Sequence, residues 1–149
     1  MNGEKVNPNY VNEAIVVFEK AKDSANENHK AEIGYVSDKL LKEAINNGVD
    51  LAGYKHSIDV YGVRHTLRNH GNALAEEKRG QVAVAESDLE KIPSIIYDYD
   101  KVSFTGKNKV GRETITYTKK IPDGTAIYVE EIRSGNKELA LNTMRKHKI

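Results

Sequence analysis

The chain has 149 residues, a mean hydropathy of −0.64 and a formal net charge of +1. That length suffices for one domain with its own core, and the absence of Cys excludes a disulfide frame or a thiolate zinc site. The small net charge hides an asymmetry: residues 1–50 carry −3, residues 51–100 carry −2 and residues 101–149 carry +6. A basic final third suits a polyanionic partner, although Lys-rich solvated strand faces would give the same count.

Residues 1–8 are turn-formers. Val11, Ala14, Ile15, Phe18, Ala21 and Ala25 then recur at helical spacing and predict a helix over 9–27. The pattern lapses through a connector holding His29, with a soft boundary near 28–36. Residues 1–35 are therefore expected to form an N-terminal helical extension and residues 36–149 the main domain. Ser37 can cap free N–H groups, and Asp38 suits the positive first turn, so a second helix opens there. Leu40, Leu41, Ala44 and Ile45 are its apolar face, and Asn46-Asn47-Gly48 ends it. Residues 49–56 read as a loop ending on His56.

The central stretch is Gly62-Val-Arg-His-Thr-Leu-Arg-Asn-His-Gly71, read as one short helix. At 100° per residue, Val60, Val63, Leu67 and Leu74 share one side. Tyr61, Arg64 and Arg68 lie on the flank, His65 and Asn69 further round, and His70 at the edge of the apolar stripe. Residues 72–81 read as an exposed, charged loop ending in Arg79-Gly80-Gln81, and residues 82–85 as a short strand. Ser87-Asp-Leu-Glu90 has the spacing of a capping box, and Pro93 should interrupt the helix that follows. Leu89, Ile92, Ile95 and Ile96 belong to the core.

From Lys101 the period changes to two. A short strand at 102–104 leads to a turn, Gly106-Lys-Asn-Lys-Val-Gly111, with two lysines at its tip. Strands follow over 113–121 and 125–133, divided by the turn Pro122-Asp-Gly124. After Ser134-Gly-Asn136 comes a last strand or short helix over 138–144, then the basic tail Arg145-Lys-His-Lys-Ile149. Helices first and a meander last predict an α+β domain, its N-terminal helices packed on a small antiparallel sheet.

No Walker loop, GxGxxG or GxSxG motif is present, and His65 and His70 stand about 140° apart on the helix, too far round to share an ion. No metal site and no cofactor are expected. Metal-free RNA cleavage fits better: it needs a base, an acid and cations around a charged phosphorus centre. Histidine suits both proton roles and arginine suits phosphate. The chain offers His65, His70, Lys119 and Thr143 for catalysis. Arg64, Arg68, Arg79, Tyr117, Arg133 and Arg145 are its candidates for binding substrate. Four of them also have a plain structural reading: His70 as a buried structural histidine or a helix-end cation, His65 as surface, Tyr117 as sheet packing, Lys119 as edge protection. Glu131 shares a face with Arg133, and an ion pair with Arg133 or with a helix arginine could organise a site.

Several segments carry a resemblance in order along the chain: Arg64-His65-Thr-Leu-Arg68-Asn-His70-Gly71, Arg79-Gly80-Gln81 and Asp88-Leu-Glu-Lys-Ile-Pro-Ser-Ile-Ile-Tyr-Asp98, then Ile115-Thr-Tyr-Thr-Lys119, Tyr128-Val-Glu-Glu-Ile-Arg133 and Leu141-Asn-Thr-Met144. Over about residues 50–146 this set resembles the phage-associated nuclease-like domains of the barnase–EndoU–colicin E5/D–RelE superfamily, found in Mu F-like head proteins and polyvalent proteins. The resemblance implies a helical front and a four-stranded antiparallel sheet whose concave face holds the site. It implies a metal-independent endoribonuclease, an effector or toxin cleaving RNA by 2′-hydroxyl attack. His65 and His70 match the helix histidines, Tyr117 and Lys119 the strand pair, and Thr143 the closing element. The implied partners are RNA, tRNA among it, and a cognate immunity or antitoxin protein. The alternative is a noncatalytic nucleic-acid- or protein-binding module of a phage structural or polyvalent protein, or a purely structural domain. No apolar run approaches the roughly 18 residues of a membrane span and no leader pattern opens the chain. The expected place is thus the cytoplasm, that of a host or target cell included.

Overall fold

Apolar residues at helical spacing build α1 (Tyr10–Lys22), which buries Tyr10, Ala14, Val17, Phe18 and Ala21. The structure, a computed structural model, describes residues 6–23, 28–104, 106–122 and 124–148. Helix α1 ends before Asp23, whose backbone is extended; the end of the predicted helix, at 24–27, lies outside the described residues, as do residues 1–5 of the turn-forming start. Ser37 caps α2 (Asp38–Asn46) by accepting from Leu40 N at 3.1 Å. Leu40 and Ala44 are buried there, while Ile45, expected on the same face, is exposed.

Two strands replace the expected connector and loop. β1 (Lys30–Tyr35) pairs antiparallel with β2 (Lys55–Asp59). β1 turns only Ala31 and Ile33 fully into the core, too little apolar signal to stand out of a polar run. β2 carries His56, Ser57 and Asp59, all buried, so it lacks the apolar alternation by which strands are recognised. The boundary expected after residue 35 falls between β1 and α2. Yet β1 is hydrogen-bonded into the sheet, and α1 lies in the same hydrophobic cluster as the sheet's inner face.

Helix α3 (Val60–His70) follows β2 directly. The segment read as a loop after it contains α4 (Ala73–Lys78), capped by Asn72, before the two-residue strand β3 (Gln81–Val82). A 3₁₀ turn over Glu86–Lys91 then passes into α5 (Ile92–Tyr97). Pro93 marks that junction, as its missing N–H requires. The cap at the turn's start comes from Asp88, whose Oδ2 accepts from Ala85 N at 2.8 Å, in place of the Ser87–Glu90 box.

The final third folds as β4 (Lys101–Ser103), β5 (Thr114–Ile121), β6 (Gly124–Arg133) and β7 (Glu138–His147). The last element is thus wholly strand. The protein is α+β as predicted. The sheet is larger than the expected four strands: its order is β1-β2-β7-β6-β5-β4, with β3 also on β7. It is mixed, because β2 lies parallel to β7 while the other pairs are antiparallel.

One face of β5 and β6 buries tyrosines around a polar pair. Tyr117 stands opposite Tyr128, and its hydroxyl donates to Glu130 Oε1 at 2.6 Å. The other oxygen, Oε2, lies 2.7 Å from His56 Nδ1. Burial pushes the phenols of Tyr10, Tyr117 and Tyr128 well above their ordinary range. Lys146, read as part of a basic tail, is also interior: its Nζ binds both oxygens of Asp88, at 2.9 and 2.8 Å. Part of the basic charge of the last third is therefore spent inside the fold.

Candidate active site

The site is built where α3 meets β7. Asp59 ends β2 and caps α3, its Oδ1 accepting from Gly62 N at 2.8 Å. β2 pairs with β7 only as far as Ala140, and β3 takes up the edge at Lys146. Among the described residues no strand pairs with 141–145 on that side, and α3 lies against this stretch instead. Gly62 permits the approach, since a Cβ there would fall 2.2 Å from Leu141 O. One turn further on, His65 Nδ1 lies 2.9 Å from Asn142 O.

Asn142 is the extra residue of a β-bulge: Val129 pairs with Thr143 and Glu130 with Leu141. A bulge takes one residue out of the ladder, and His65 satisfies the carbonyl so displaced. A carbonyl only accepts, so Nδ1 carries the hydrogen and the neutral ring offers Nε2 as its acceptor.

A chain of ion pairs runs beside the histidine. Arg133 Nε donates to Glu131 Oε2 at 2.6 Å and Nη1 to Asp59 Oδ2 at 2.9 Å. Arg112 Nη1 reaches the same Glu131 oxygen at 3.0 Å. Behind them, Glu138 lies 3.7 Å from Arg133 Nη1 and binds Lys30 at 2.7 Å. Burial works against the charge of Arg133, but its hydrogen bonds and attraction to Glu131 and Asp59 outweigh that and hold it above the usual arginine range. Asp59 thus caps α3 with one oxygen and holds Arg133 with the other, tying the histidine helix to the ion-pair chain.

The turn between β4 and β5 closes the site. Asn108 Nδ2 donates to Glu131 Oε1 at 2.7 Å and to Asn142 Oδ1 at 3.3 Å. Its Oδ1 accepts from Val110 N at 3.2 Å and Arg112 N at 3.0 Å. One side chain therefore both folds the turn and fastens it to β6 and β7. The result is an open hollow of about 490 Å³ lined by Tyr61, His65, Asn142 and the turn, with Glu131 and Arg133 at its wall. Four cations, Lys107, Lys109, Arg112 and Arg133, face one carboxylate there. Among the described residues neither Lys107 nor Lys109 is paired with a carboxylate. Such a hollow attracts polyanions and holds one imidazole among them. Among the described residues no three His, Cys, Asp or Glu side chains gather as metal ligands.

Of the ten candidate residues read from the sequence, His65 and Arg133 line the hollow. His70 is 14 % exposed and faces Glu76 Oε2 at 3.2 Å. Arg79 pairs with the same buried Glu76 and donates to Asn69 O at 2.7 Å. Arg64 donates to Lys20 O, Ala21 O and Asp23 O at 3.2–3.3 Å, closing the end of α1. Arg68 is exposed. Tyr117 is in the core. Lys119 binds Asp98, its Nζ 2.7 Å from the carbonyl. It stands five residues along β5 from Thr114, the partner of Glu131, about 17 Å away at strand rise. Thr143 follows Asn142, with its hydroxyl buried and lacking a hydrogen-bond partner among the described residues. Arg145 donates to His147 Nε2 at 3.2 Å. The structure adds Tyr61, Lys107, Asn108, Lys109, Val110, Arg112 and Asn142 as lining residues. The two-lysine turn was the only local signal for any of the loop members.

An α+β domain that sets an imidazole and a cluster of cations into one hollow beside an antiparallel meander has a build suited to a phosphodiester ligand. A family model described as phage-Barnase-EndoU-ColicinE5/D-RelE like nuclease3 matches residues 31–148, and the chain belongs to that family of nuclease domains. Comparison with curated proteins and with solved structures gave no match. No helix among the described residues is long and apolar enough to cross a membrane.

Proposed function

We propose that the hollow is a ribonuclease centre that works without a metal ion. In this reading His65 Nε2 takes the proton of a ribose 2′-hydroxyl, and the 2′-oxygen attacks the adjacent phosphorus. The bond to the 5′-oxygen breaks, leaving a 2′,3′-cyclic phosphate and a 5′-hydroxyl end. The observation that carries it is the hydrogen bond from His65 Nδ1 to Asn142 O, because it leaves Nε2 as the acceptor of a ring that lines the same hollow as the loop cations. Lys107, Lys109 and Arg112 bear the charge that gathers on the phosphoryl oxygens, and the loop ammonium groups protonate the departing oxygen. Arg133 and Asn108 hold Glu131 in place and thereby the turn. His70, Lys119 and Thr143 have no contact with substrate in this reading. A positioned base contributes on the order of 10²–10⁴-fold, and each well-placed donor to the developing charge on the order of 10²–10³-fold.

The test is incubation of the purified chain with tRNA and with total RNA in EDTA. Cleavage with cyclic-phosphate ends, abolished in His65→Ala, is the expected result. RNA left intact by the wild-type chain, or cut equally well by His65→Ala, would overturn the reading. Salt-dependent binding without turnover would instead identify a noncatalytic nucleic-acid module. For action as a toxin in a cytoplasm, the matching result is growth arrest on expression that His65→Ala relieves. A neighbouring gene that rescues growth would supply the immunity partner.

A further inference from the structure

Tyr61 and Val110 are among the most exposed large apolar side chains of the described residues, at 65 % and 70 %. Both line the hollow, one from α3 and one from the turn that Asn108 holds. Tyr61 precedes His65 by four residues on α3, so the two side chains share a helix face, with Cβ atoms about 5–6 Å apart. A flat group laid on the Tyr61 ring would carry its attached ribose to the imidazole, and Lys107, Lys109 and Arg112 would stand by the phosphates on either side. Aromatic rings beside backbone-tracking cations are how proteins hold single-stranded nucleic acid.

We propose that Tyr61, with Val110 beside it, is a stacking platform for one unpaired nucleobase, that of the nucleotide whose 2′-hydroxyl meets His65. The substrate is therefore single-stranded RNA or an RNA loop. The inference rests on the ribonuclease reading for the identity of the polymer. A base inside a duplex is stacked between its neighbours and cannot offer a face to the ring, whereas a splayed base in a loop can. Stacking accepts every base, since each has a π-face. Of the two amides that line the hollow, Asn108 is already held by Glu131, Asn142 and the turn's own N–H groups, and the Oδ1 of Asn142 accepts from Asn108. The subsite thus selects unpaired over paired strands, with little preference among the bases.

The experiment uses the full chain and a short oligoribonucleotide with 2-aminopurine at one internal position. Every nucleotide of that strand carries a 2′-fluoro group in place of the 2′-hydroxyl, so no position of it can be cleaved. Binding should quench the 2-aminopurine in the single strand and not in the same strand annealed to its complement. Tyr61→Ala should weaken binding about tenfold and remove the quenching, while Tyr61→Phe keeps both near wild type. Lys109→Ala should weaken binding yet leave the quenching of the bound strand, which separates ring from charge. Equal affinity and quenching in wild type and Tyr61→Ala, or equal binding of duplex and single strand, would overturn the proposal. Cleavage of the all-ribose strand is scored separately. Quenching that depends on Tyr61 without any cleavage would uphold the base subsite and remove only the chemistry; cleavage with no Tyr61 dependence would do the reverse.

Discussion

His56 and His65 come from adjoining elements, and each uses Nδ1 in a hydrogen bond to a residue more than 70 positions away. Their surroundings differ in two respects. His56 is fully buried against a carboxylate, under Tyr97 and Tyr117. His65 is half-buried against a backbone carbonyl at the wall of an open hollow. A buried carboxylate partner makes an imidazole part of the core, where losing it strands the partner. A carbonyl partner only sets the tautomer, and the His65 ring lines the open hollow. The partner's chemistry and the exposure of the ring therefore separate a histidine of the core from one that lines a hollow.

The first way to break this comparison is to exchange the two outcomes. His65→Ala is expected to lower RNA cleavage by about 10²–10⁴-fold with the thermal midpoint nearly unmoved, as measured by single-turnover kinetics and a melting curve. A midpoint that falls sharply would make His65 structural as well. His56→Ala is expected to act on the other axis. It leaves Glu130 buried with only Tyr117, and should cost about 3–5 kcal/mol in urea unfolding. Unchanged stability there would mean that the core tolerates the carboxylate alone.

A smaller effect tests the geometry that joins helix to bulge. Gly62→Ala places a methyl group within 2.2 Å of Leu141 O, so α3 must shift from β7 at about 1–3 kcal/mol. Because the same shift lengthens the contact from His65 to Asn142, cleavage should fall by more than the loss of folded protein explains. Cleavage that simply tracks the folded fraction would sever that link.

The smallest difference between variants concerns the core side. Tyr10, Tyr117 and Tyr128 have phenols raised above their unfolded value. The neutral phenol is the form the fold stabilises, so this contribution is complete below about pH 10. Above it the unfolded chain loses protons that the folded chain keeps, and stability falls by about 1.4 kcal/mol per tyrosine per pH unit. Chemical unfolding between pH 9 and 11 reads the slope, and Tyr128→Phe should make it shallower. An identical slope in that variant would show that Tyr128 ionises alike in both states.

Much of this was readable beforehand where the signal was local. The apolar stripe of α1, the Ser37 cap, the Pro93 break and the period-two run of β5 and β6 are each written within about ten residues, the range over which helix and strand periods repeat. The helix holding His65 was visible for the same reason, and so was the pairing of Glu131 with Arg133 two residues apart on one strand face. β1 and β2 were not visible, because a strand with two apolar residues or a set of buried polar ones has no period to detect. α4 was hidden in a charged run for the same reason. The loop members Lys107, Asn108, Lys109 and Arg112 became site residues through contacts that span β5 and β6.

The amino-acid order alone determined that an α+β chain of this family would place a histidine helix ahead of a basic meander, since periodicity and side-chain chemistry are properties of short segments. Which imidazole would face a hollow was decided only in three dimensions. His65 and His70 share one helix, but they point about 140° apart, one toward the bulge at Asn142 and the other toward Glu76. That bulge, the bare β7 edge beside it and the fastening of the Asn108 turn arise from strand register and long-range hydrogen bonds. No short window of sequence contains both partners of such a contact.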